Sequence, residues 1–228
     1  MEGEKMNITG QIKQKFSQTE LLEKLITTYG ESAKEKEASE CIKGGICYML
    51  SVEWLLKLME TPNSYPDSIY NTQFDNEKVL MYYKQIADNY YKFASDFHLT
   101  FQKTTEHPGA ELLPGNRMVD IDKKFVQLCS NSKYCVKDSY GVYNSPTNLE
   151  HVYEKDCALL LYLNVNAGAD SFAHEMAIWR YKNKNYFYDP NQGVFLLDDL
   201  SKIVGEVIDG HKSNGATAAL TITSICEN

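Results

Sequence analysis

Helical periodicity is strongest in the segment Gly44-Gly45-Ile46-Cys47-Tyr48-Met49-Leu50-Ser51-Val52-Glu53-Trp54-Leu55 and just beyond it. The apolar residues after the cysteine recur at spacings of three and four: Leu50, Trp54, Leu55 and Leu58. This pattern predicts a helix over residues 47–60 with one buried face. The two glycines allow a tight backbone turn just before it. Cys47 is therefore predicted at a helix N-terminus, where the dipole and unpaired backbone N–H groups favour a thiolate.

A histidine and an aspartate follow far downstream, on two predicted strands that a hairpin turn at 183–185 joins. The hairpin brings His174 and Asp189 near the same end of the paired strands. Asp189 is thus expected to accept a hydrogen bond from the imidazole and to fix its tautomer. Asn191 is the alternative orienting group, because Cys-His-Asn arrangements also work. The chain order predicts a catalytic triad of Cys47, His174 and Asp189.

Four other histidines compete for the same role: His98, His107, His151 and His211. The first two fall at or beyond a predicted helix end, the third in a turn-rich stretch, and the last beside a glycine-rich loop. Only His174 lies on a predicted strand with an acidic partner one hairpin away. The plain alternative is that Cys47 is a buried structural cysteine and His174 an ordinary strand residue.

The order of the predicted elements indicates an α+β fold, with helices first and an antiparallel sheet afterwards. Beyond 47–60, helices are predicted from the capping residue Ser17, over 75–98, around 117–130, and from 198 to about 210. Charged residues 31–40 are expected to be a connector, and the chain from about 131 to 155 to be rich in turns. Strands are predicted at 158–165, 173–181, 186–189, 194–197 and 217–225.

A chain of 228 residues suits one domain. Residues 1–16 are polar with little periodicity, and we expect a loosely packed N-terminal arm there, a candidate secretion signal or propeptide. Residues 17–228 are expected to form a single catalytic domain. Neither a cleaved signal peptide nor a membrane-spanning run is recognisable, so no integral membrane segment is expected.

The net charge of −8 argues against a nucleic-acid partner, which would need a basic patch to bind phosphates. The six cysteines are expected to be reduced, because a domain of this size does not need a disulfide scaffold. Two cysteine pairs, Cys41/Cys47 and Cys129/Cys135, are spaced more widely than the ligands of structural zinc usually are. A metal site is therefore the weakest of the alternatives.

Three stretches resemble the motifs of the YopT/AvrPphB peptidases, a family of papain-like cysteine proteases. Segment 44–55 resembles the family's cysteine motif, in which Gly-x-Cys is followed by Leu-Ser and by a Trp-aliphatic pair. The histidine motif is matched by His174-Glu175-Met176-Ala177-Ile178, and the aspartate motif by Tyr186-Phe187-Tyr188-Asp189-Pro190-Asn191-Gln192-Gly193. The spacing of the histidine and the aspartate also agrees.

This resemblance implies a papain-like fold, with helices packed on an antiparallel sheet. It implies that Cys47 is the nucleophile, His174 the base and Asp189 the orienting group, with no cofactor and no metal. It further implies a bacterial effector, which a specialised secretion system delivers into the host cytosol. The implied substrate is a host signalling protein such as a prenylated Rho-type GTPase, cut at the membrane, or a kinase.

The chain departs from the papain pattern at one point. Papain-type enzymes place a Gln or Asn several residues before the nucleophile to complete the oxyanion hole, whereas residues 39–43 contain no amide side chain. The backbone N–H of Cys47 supplies one donor, and Lys43 or another backbone N–H is expected to supply the second.

Two other functions use the same residues. A glutamine deamidase or transglutaminase-like enzyme performs acyl transfer with the same triad, since groove shape decides which amide is attacked. A host-protein-binding module that has lost its activity is the non-enzymatic alternative, which the missing amide favours and the intact triad opposes.

Overall fold

The computed structural model describes residues 8–43, 45–96, 115–143, 156–166, 172–210 and 217–228. Its helices are α1 (Gln18–Ile26), α2 (Ala33–Ile42), α3 (Cys47–Glu60), α4 (Glu77–Asp96), α5 (Gly115–Cys129) and α6 (Ile203–Gly210). Its strands are β1 (Gln11–Lys15), β2 (Tyr134–Tyr143), β3 (Cys157–Asn166), β4 (Phe172–Tyr181), β5 (Lys184–Asp189), β6 (Gly193–Leu197) and β7 (Thr217–Glu227). Two short 3-10 helices cover Pro66–Ser68 and Leu200–Lys202.

In the described ranges, seven strands form one antiparallel sheet in the order β1-β6-β5-β4-β3-β7-β2. The sheet is covered on both faces. Helices α1 to α5 share one apolar core with the first face, and α6 shares a second core with the other. The expected α+β architecture, with helices packed on an antiparallel sheet, is confirmed.

Helix α3 has the bounds that the sequence predicts and packs directly on β4. Trp54 is fully buried and stacks on Tyr188 of β5, with ring centroids 5.3 Å apart. Its indole Nε1 donates to the carbonyl oxygen of Pro66 at 3.1 Å. The hydroxyl of Ser51 donates to the backbone oxygen of Glu175 at 3.1 Å. The Ser51 bond ties α3 to β4, and the contacts of Trp54 tie it to β5 and to the short helix at Pro66.

The hairpin between β4 and β5 turns at Lys182 and Asn183, whose φ angles are 50° and 60°. Two left-handed residues in a two-residue loop are typical of a type I′ turn, whose twist suits antiparallel strands. The turn lies one residue earlier than predicted. The register places Ala177 opposite Tyr188, so Asp189 ends β5 close to the first residues of β4.

The segment predicted as a polar arm contributes a strand from Gln11 onward. This strand, β1, pairs with β6 at the edge of the sheet, and Phe16 is 3% exposed in the main core. The pattern gave no strand signal because β1 is largely exposed and is held by backbone pairing. The idea of a loosely packed arm is therefore wrong for residues 11–16, whereas 1–7 lie outside the described residues.

Two further segments form regular secondary structure that the sequence does not predict. The expected connector contains α2, which Ser32 caps by accepting a hydrogen bond from the N–H of Glu35. Only Ala38 and Ile42 of that helix are buried, so the apolar periodicity is weak. The expected turn-rich stretch contains β2, an edge strand next to β7. The other predicted helices and strands are confirmed with small differences at their ends.

Candidate active site

Cys47 is the first residue of α3, directly after a sharp bend of the backbone. Gly45 has a φ of +109°, in the region that glycine tolerates best. The N-cap residue Ile46 makes no side-chain cap hydrogen bond among the described contacts, which leaves N–H groups of the first turn available. Cys47 is partly exposed, so the residue remains accessible from solvent. Gly44, the other predicted turn glycine, lies outside the described residues.

His174 lies near the start of β4 and is 6% exposed. Its Nε2 atom is 2.8 Å from Oδ1 of Asp189. The imidazole also lies close enough to the side chain of Cys47 for each group to shift the pKa of the other. Because Nε2 is engaged with Asp189, Nδ1 is the ring nitrogen left to interact with the sulfur. The structure thus brings together the three residues that the sequence predicts as a triad.

Asp189 is buried and held by three donors. Its Oδ1 also accepts from the backbone N–H of Asn191 at 2.8 Å, and its Oδ2 accepts from Nε2 of Gln192 at 3.0 Å. Burial alone would raise the pKa of this carboxyl, but the positive charge and hydrogen bond of His174, with the two other donors, hold its pKa below the usual value. The carboxylate therefore remains ionised beside the imidazole.

The electrostatics favour a thiolate–imidazolium pair. Burial would raise the pKa of Cys47, but the hydrogen bond and charge of His174, together with backbone N–H groups of Glu175 and Tyr48, bring its pKa below the ordinary value. Burial lowers the pKa of His174, yet the charge and hydrogen bond of Asp189 outweigh it and, with Cys47, raise that pKa to about 10. Each partner therefore stabilises the charged form of the other.

Three other thiols behave differently. Burial raises the pKa of Cys41. It raises the pKa of Cys129 to about 12 and that of Cys157 to about 11. Because the thiolate is the reactive form, these cysteines are protonated and unreactive at neutral pH. The contrast singles out Cys47 as the activated thiol among them.

The side chain of Asn191, the alternative orienting group, does not contact His174 in the described contacts. Its Oδ1 accepts from Nε2 of Gln18 at 3.1 Å. The carboxamide oxygen of Gln18 in turn accepts from the backbone N–H of Ile46 at 2.7 Å. The sequence gave no signal for Gln18, because it begins a different helix and reaches the site only through the tertiary fold.

Two carboxyl groups are buried behind the site. Asp122 of α5 and Glu175 of β4 are each 1% exposed. The hydroxyl of Tyr48 donates to Oδ1 of Asp122 at 2.8 Å, whereas neither carboxyl oxygen of Glu175 has a hydrogen-bond partner within the described part of the chain. Burial raises the pKa of Asp122 to about 7 and raises that of Glu175 far above its usual range. Burial thus favours the neutral form of Glu175, which does not oppose the negative charge of the Cys47 thiolate.

Lys43, one expected source of the second oxyanion donor, forms an ion pair with Glu40 at the surface. Its ammonium group is thus already engaged by a carboxylate. The backbone N–H groups at the start of α3 are the donors closest in sequence to the sulfur. They point along the helix dipole, which favours negative charge at this end.

Two alternatives from the sequence concern other histidines and a metal site. All four competing histidines, His98, His107, His151 and His211, lie outside the described residues, so their roles are not tested. The described part of the chain contains no group of three or more His, Cys, Asp or Glu residues that could hold a metal ion. Likewise, none of the described helices combines the length and apolar character needed to cross a bilayer.

Comparison with known proteins identifies the family of this chain and a solved structure with a similar fold. Residues 7–215 match the family model Peptidase_C58, described as Yersinia/Haemophilus virulence surface antigen. The fold is similar to that of the Pseudomonas avirulence protein AvrPphB, with a TM-score of 0.51 and 14% sequence identity over 87% of this chain and 99% of that chain. No curated protein sequence is significantly similar to this one.

A second solved structure is more distant. It is a ubiquitin-specific protease encoded by murine cytomegalovirus, with a TM-score of 0.42 and 10% identity over 98% of this chain and 88% of that one.

Proposed function

Because this chain belongs to the Peptidase_C58 family, it is a cysteine peptidase with a papain-like fold, and we propose that Cys47, His174 and Asp189 are its catalytic triad. The observation that supports this assignment is the 2.8 Å hydrogen bond between the buried His174 imidazole and the Asp189 carboxylate, with the side chain of Cys47 interacting with the same imidazole. The lowered pKa of Cys47 and the raised pKa of His174 agree with it.

The reaction follows from this geometry. The Cys47 thiolate attacks the carbonyl carbon of the scissile peptide bond, and backbone N–H groups at the start of α3 bind the oxygen that becomes negative. The His174 imidazolium gives its proton to the departing amine, which leaves an acyl-enzyme. His174, now neutral, takes a proton from water, and the resulting hydroxide releases the acyl group and restores the thiolate. Asp189 holds the imidazole in place and stabilises its positive form.

The substrate of a peptidase is a protein, and we propose that here it is a host signalling protein. The match to a family described by virulence surface antigens of Yersinia and Haemophilus supports a role as a bacterial effector delivered into the host cytosol. The net charge of −8 favours a basic target segment, such as the polybasic stretch beside a prenyl group on a small GTPase. A kinase is the other target class that the resemblance supports.

Comparative mass spectrometry of protein termini tests this function. A eukaryotic lysate that includes its membranes is treated with wild-type protein, with Cys47→Ala, or with Cys226→Ser as a matched thiol control. We expect new peptide termini with the wild type and with Cys226→Ser but not with Cys47→Ala. The sequence around those termini identifies the target.

Two outcomes would contradict the proposal. Intact proteins in which glutamine has become glutamate only when Cys47 is present would assign the triad to a deamidase. Termini that appear equally with Cys47→Ala would remove Cys47 from the chemistry.

A further inference from the structure

Gln18 lies between the two halves of the proposed active site although it belongs to neither motif. It is the first residue of α1 and is 7% exposed. A Cβ atom placed on Gly45 would lie 3.4 Å from both the oxygen and the nitrogen of the Gln18 carboxamide. The amide therefore packs against the bend that leads into Cys47.

Both ends of this carboxamide form hydrogen bonds. The oxygen accepts from the N–H of Ile46 at 2.7 Å, and the nitrogen donates to Oδ1 of Asn191 at 3.1 Å. Ile46 directly precedes the nucleophile and caps α3. A buried N–H at this position would be costly without an acceptor, and Gln18 provides that acceptor from another helix.

The contact with Asn191 connects Gln18 to the other two residues of the proposed triad, Asp189 and His174. The backbone N–H of Asn191 donates to Oδ1 of Asp189, and the same oxygen is bound to His174. The imidazole interacts in turn with Cys47, which follows Ile46 in the chain. Hydrogen bonds and short pieces of backbone thus connect the nucleophile bend through Gln18, Asn191 and Asp189 to His174.

We infer that Gln18 is a positioning residue of this peptidase, whose side-chain amide fixes the distance between the cysteine bend and the aspartate loop. The inference rests on the proposed catalytic roles of Cys47, His174 and Asp189. Gln18 acts through Ile46 and Asn191. Without it, the sulfur and the imidazole are free to separate, and the thiolate loses its stabilising partner.

This positioning role differs from a purely structural one. The start of α1 is also tied to the aspartate loop by two backbone bonds, from the N–H of Gln18 to the oxygen of Pro190 at 2.8 Å and from the N–H of Phe16 to the oxygen of Gln192 at 3.2 Å. These bonds survive replacement of the side chain. The carboxamide should therefore affect the reactivity of Cys47 more than the stability of the fold.

The test measures the alkylation rate of Cys47 by iodoacetamide as a function of pH, followed by peptide mass spectrometry, beside thermal unfolding. Gln18→Met replaces the amide by an apolar side chain of similar length. The control is Gln14→Met, which removes a half-buried glutamine whose amide donates to the Tyr70 carbonyl oxygen at 2.6 Å, away from the triad. In Gln18→Met we expect the apparent pKa of Cys47 to rise by about one unit, and its alkylation rate below that pKa to fall about tenfold.

Asn191→Ala removes the acceptor of the hydrogen bond that the Gln18 amide donates. It should raise the apparent pKa of Cys47 by a similar amount. The double variant Gln18→Met/Asn191→Ala should be little worse than either single variant, because coupled residues are not additive. The inference would be overturned if Cys47 in Gln18→Met were alkylated at rates within twofold of the wild type. It would also be overturned if the melting temperature fell while the apparent pKa of Cys47 stayed unchanged. Fully additive effects of the two changes would overturn it as well.

The same data separate this inference from the proposed function. A wild-type Cys47 that alkylates like an ordinary thiol would contradict the triad itself. A wild-type Cys47 with a depressed pKa that Gln18→Met leaves unchanged would keep the triad and reject only the role of Gln18.

Discussion

The chemistry of this protein depends on a few charged atoms whose protonation the fold controls. His174 is stabilised as a cation by Asp189 and Cys47, which raises its pKa to about 10. Cys47 is stabilised as a thiolate by the same imidazole, which lowers its pKa. The ion pair therefore exists between these two pKa values, is lost by protonation of the sulfur at low pH, and is lost by deprotonation of the imidazole at high pH.

The pH dependence of thiol reactivity follows from the directions of these pKa shifts. We expect iodoacetamide to modify Cys47 at pH values where Cys129 and Cys157, with pKa values of about 12 and 11, are inert. Site-resolved mass spectrometry over a pH series measures this. In His174→Ala the lowering influence is lost while burial remains, so the Cys47 pKa should rise above that of an ordinary thiol. Equal modification of the three cysteines in the wild type would contradict the ion pair.

The stability of the protein should also depend on pH through the shifted pKa values of His174 and Asp189. The raised pKa of His174 contributes stability that is fully present below its unfolded-state pKa of about 6.5 and is lost as pH rises through the folded value. The lowered pKa of Asp189 contributes stability that is present above about pH 4 and is lost as pH falls further. Thermal unfolding of wild type and His174→Ala should thus differ most between about pH 4 and about pH 6.5, differ less as the pH rises further, and converge above the folded-state pKa of about 10.

The three triad residues should differ in what their removal costs the fold. Cys47→Ala, His174→Ala and Asp189→Ala should each abolish turnover and still fold. Asp189→Ala also leaves the N–H of Asn191 and the amide of Gln192 without their acceptor. We expect it to lose about 2–4 kcal/mol of unfolding free energy, more than Cys47→Ala, in denaturant titrations. Near-normal turnover in any of the three would contradict the assignment.

At the scale of helices and strands, an element can be predicted from the sequence where its side chains are buried. It cannot be predicted where only backbone hydrogen bonds hold it in place. Helix α3 was predictable because its apolar side chains repeat with the helical period, and strands β3 to β6 were predictable because they are short runs of apolar and aromatic residues bounded by turns. Strand β1, with a burial pattern that is nearly all exposed, was not. The triad followed from motif order, whereas Gln18 did not, because no local pattern records a contact across 173 positions.

The pairing of β1 with β6 depends on a glycine. Gly193 has a φ of +121°, and a Cβ atom there would lie 1.9 Å from the carbonyl oxygen of Gln14. Gly193→Ala should therefore destabilise the protein by about 2–4 kcal/mol, because it combines backbone strain with a direct clash. Gly205→Ala within α6 is the control, since alanine is a better helix former than glycine. Similar melting temperatures of the two variants would contradict the close approach of β1.

For the whole molecule, β1 and the residue after it belong to the folded unit. Phe16 follows β1 and contacts the rings of Tyr70, Phe74, Tyr83 and Tyr188. Deleting 1–16 removes both the edge strand and this aromatic anchor, and the loss of a buried phenylalanine alone costs about 3–5 kcal/mol. Thermal unfolding measures the loss, and full stability after this deletion would support a removable propeptide instead.

The path of hydrogen bonds from the cysteine bend to His174 also bears on how the molecule acquires activity. Its longest contact is remote along the chain: the Gln18–Asn191 bond spans 173 positions, and the nearby Ser51–Glu175 bond spans 124. Contacts of such range close late, since the chain entropy they cost must first be offset by other contacts. An incompletely folded chain therefore keeps the cysteine apart from the histidine and the aspartate, and its thiol is not activated. Proteolytic activity is thus acquired together with the last long-range contacts, so a chain that has not finished folding does not cleave the proteins around it.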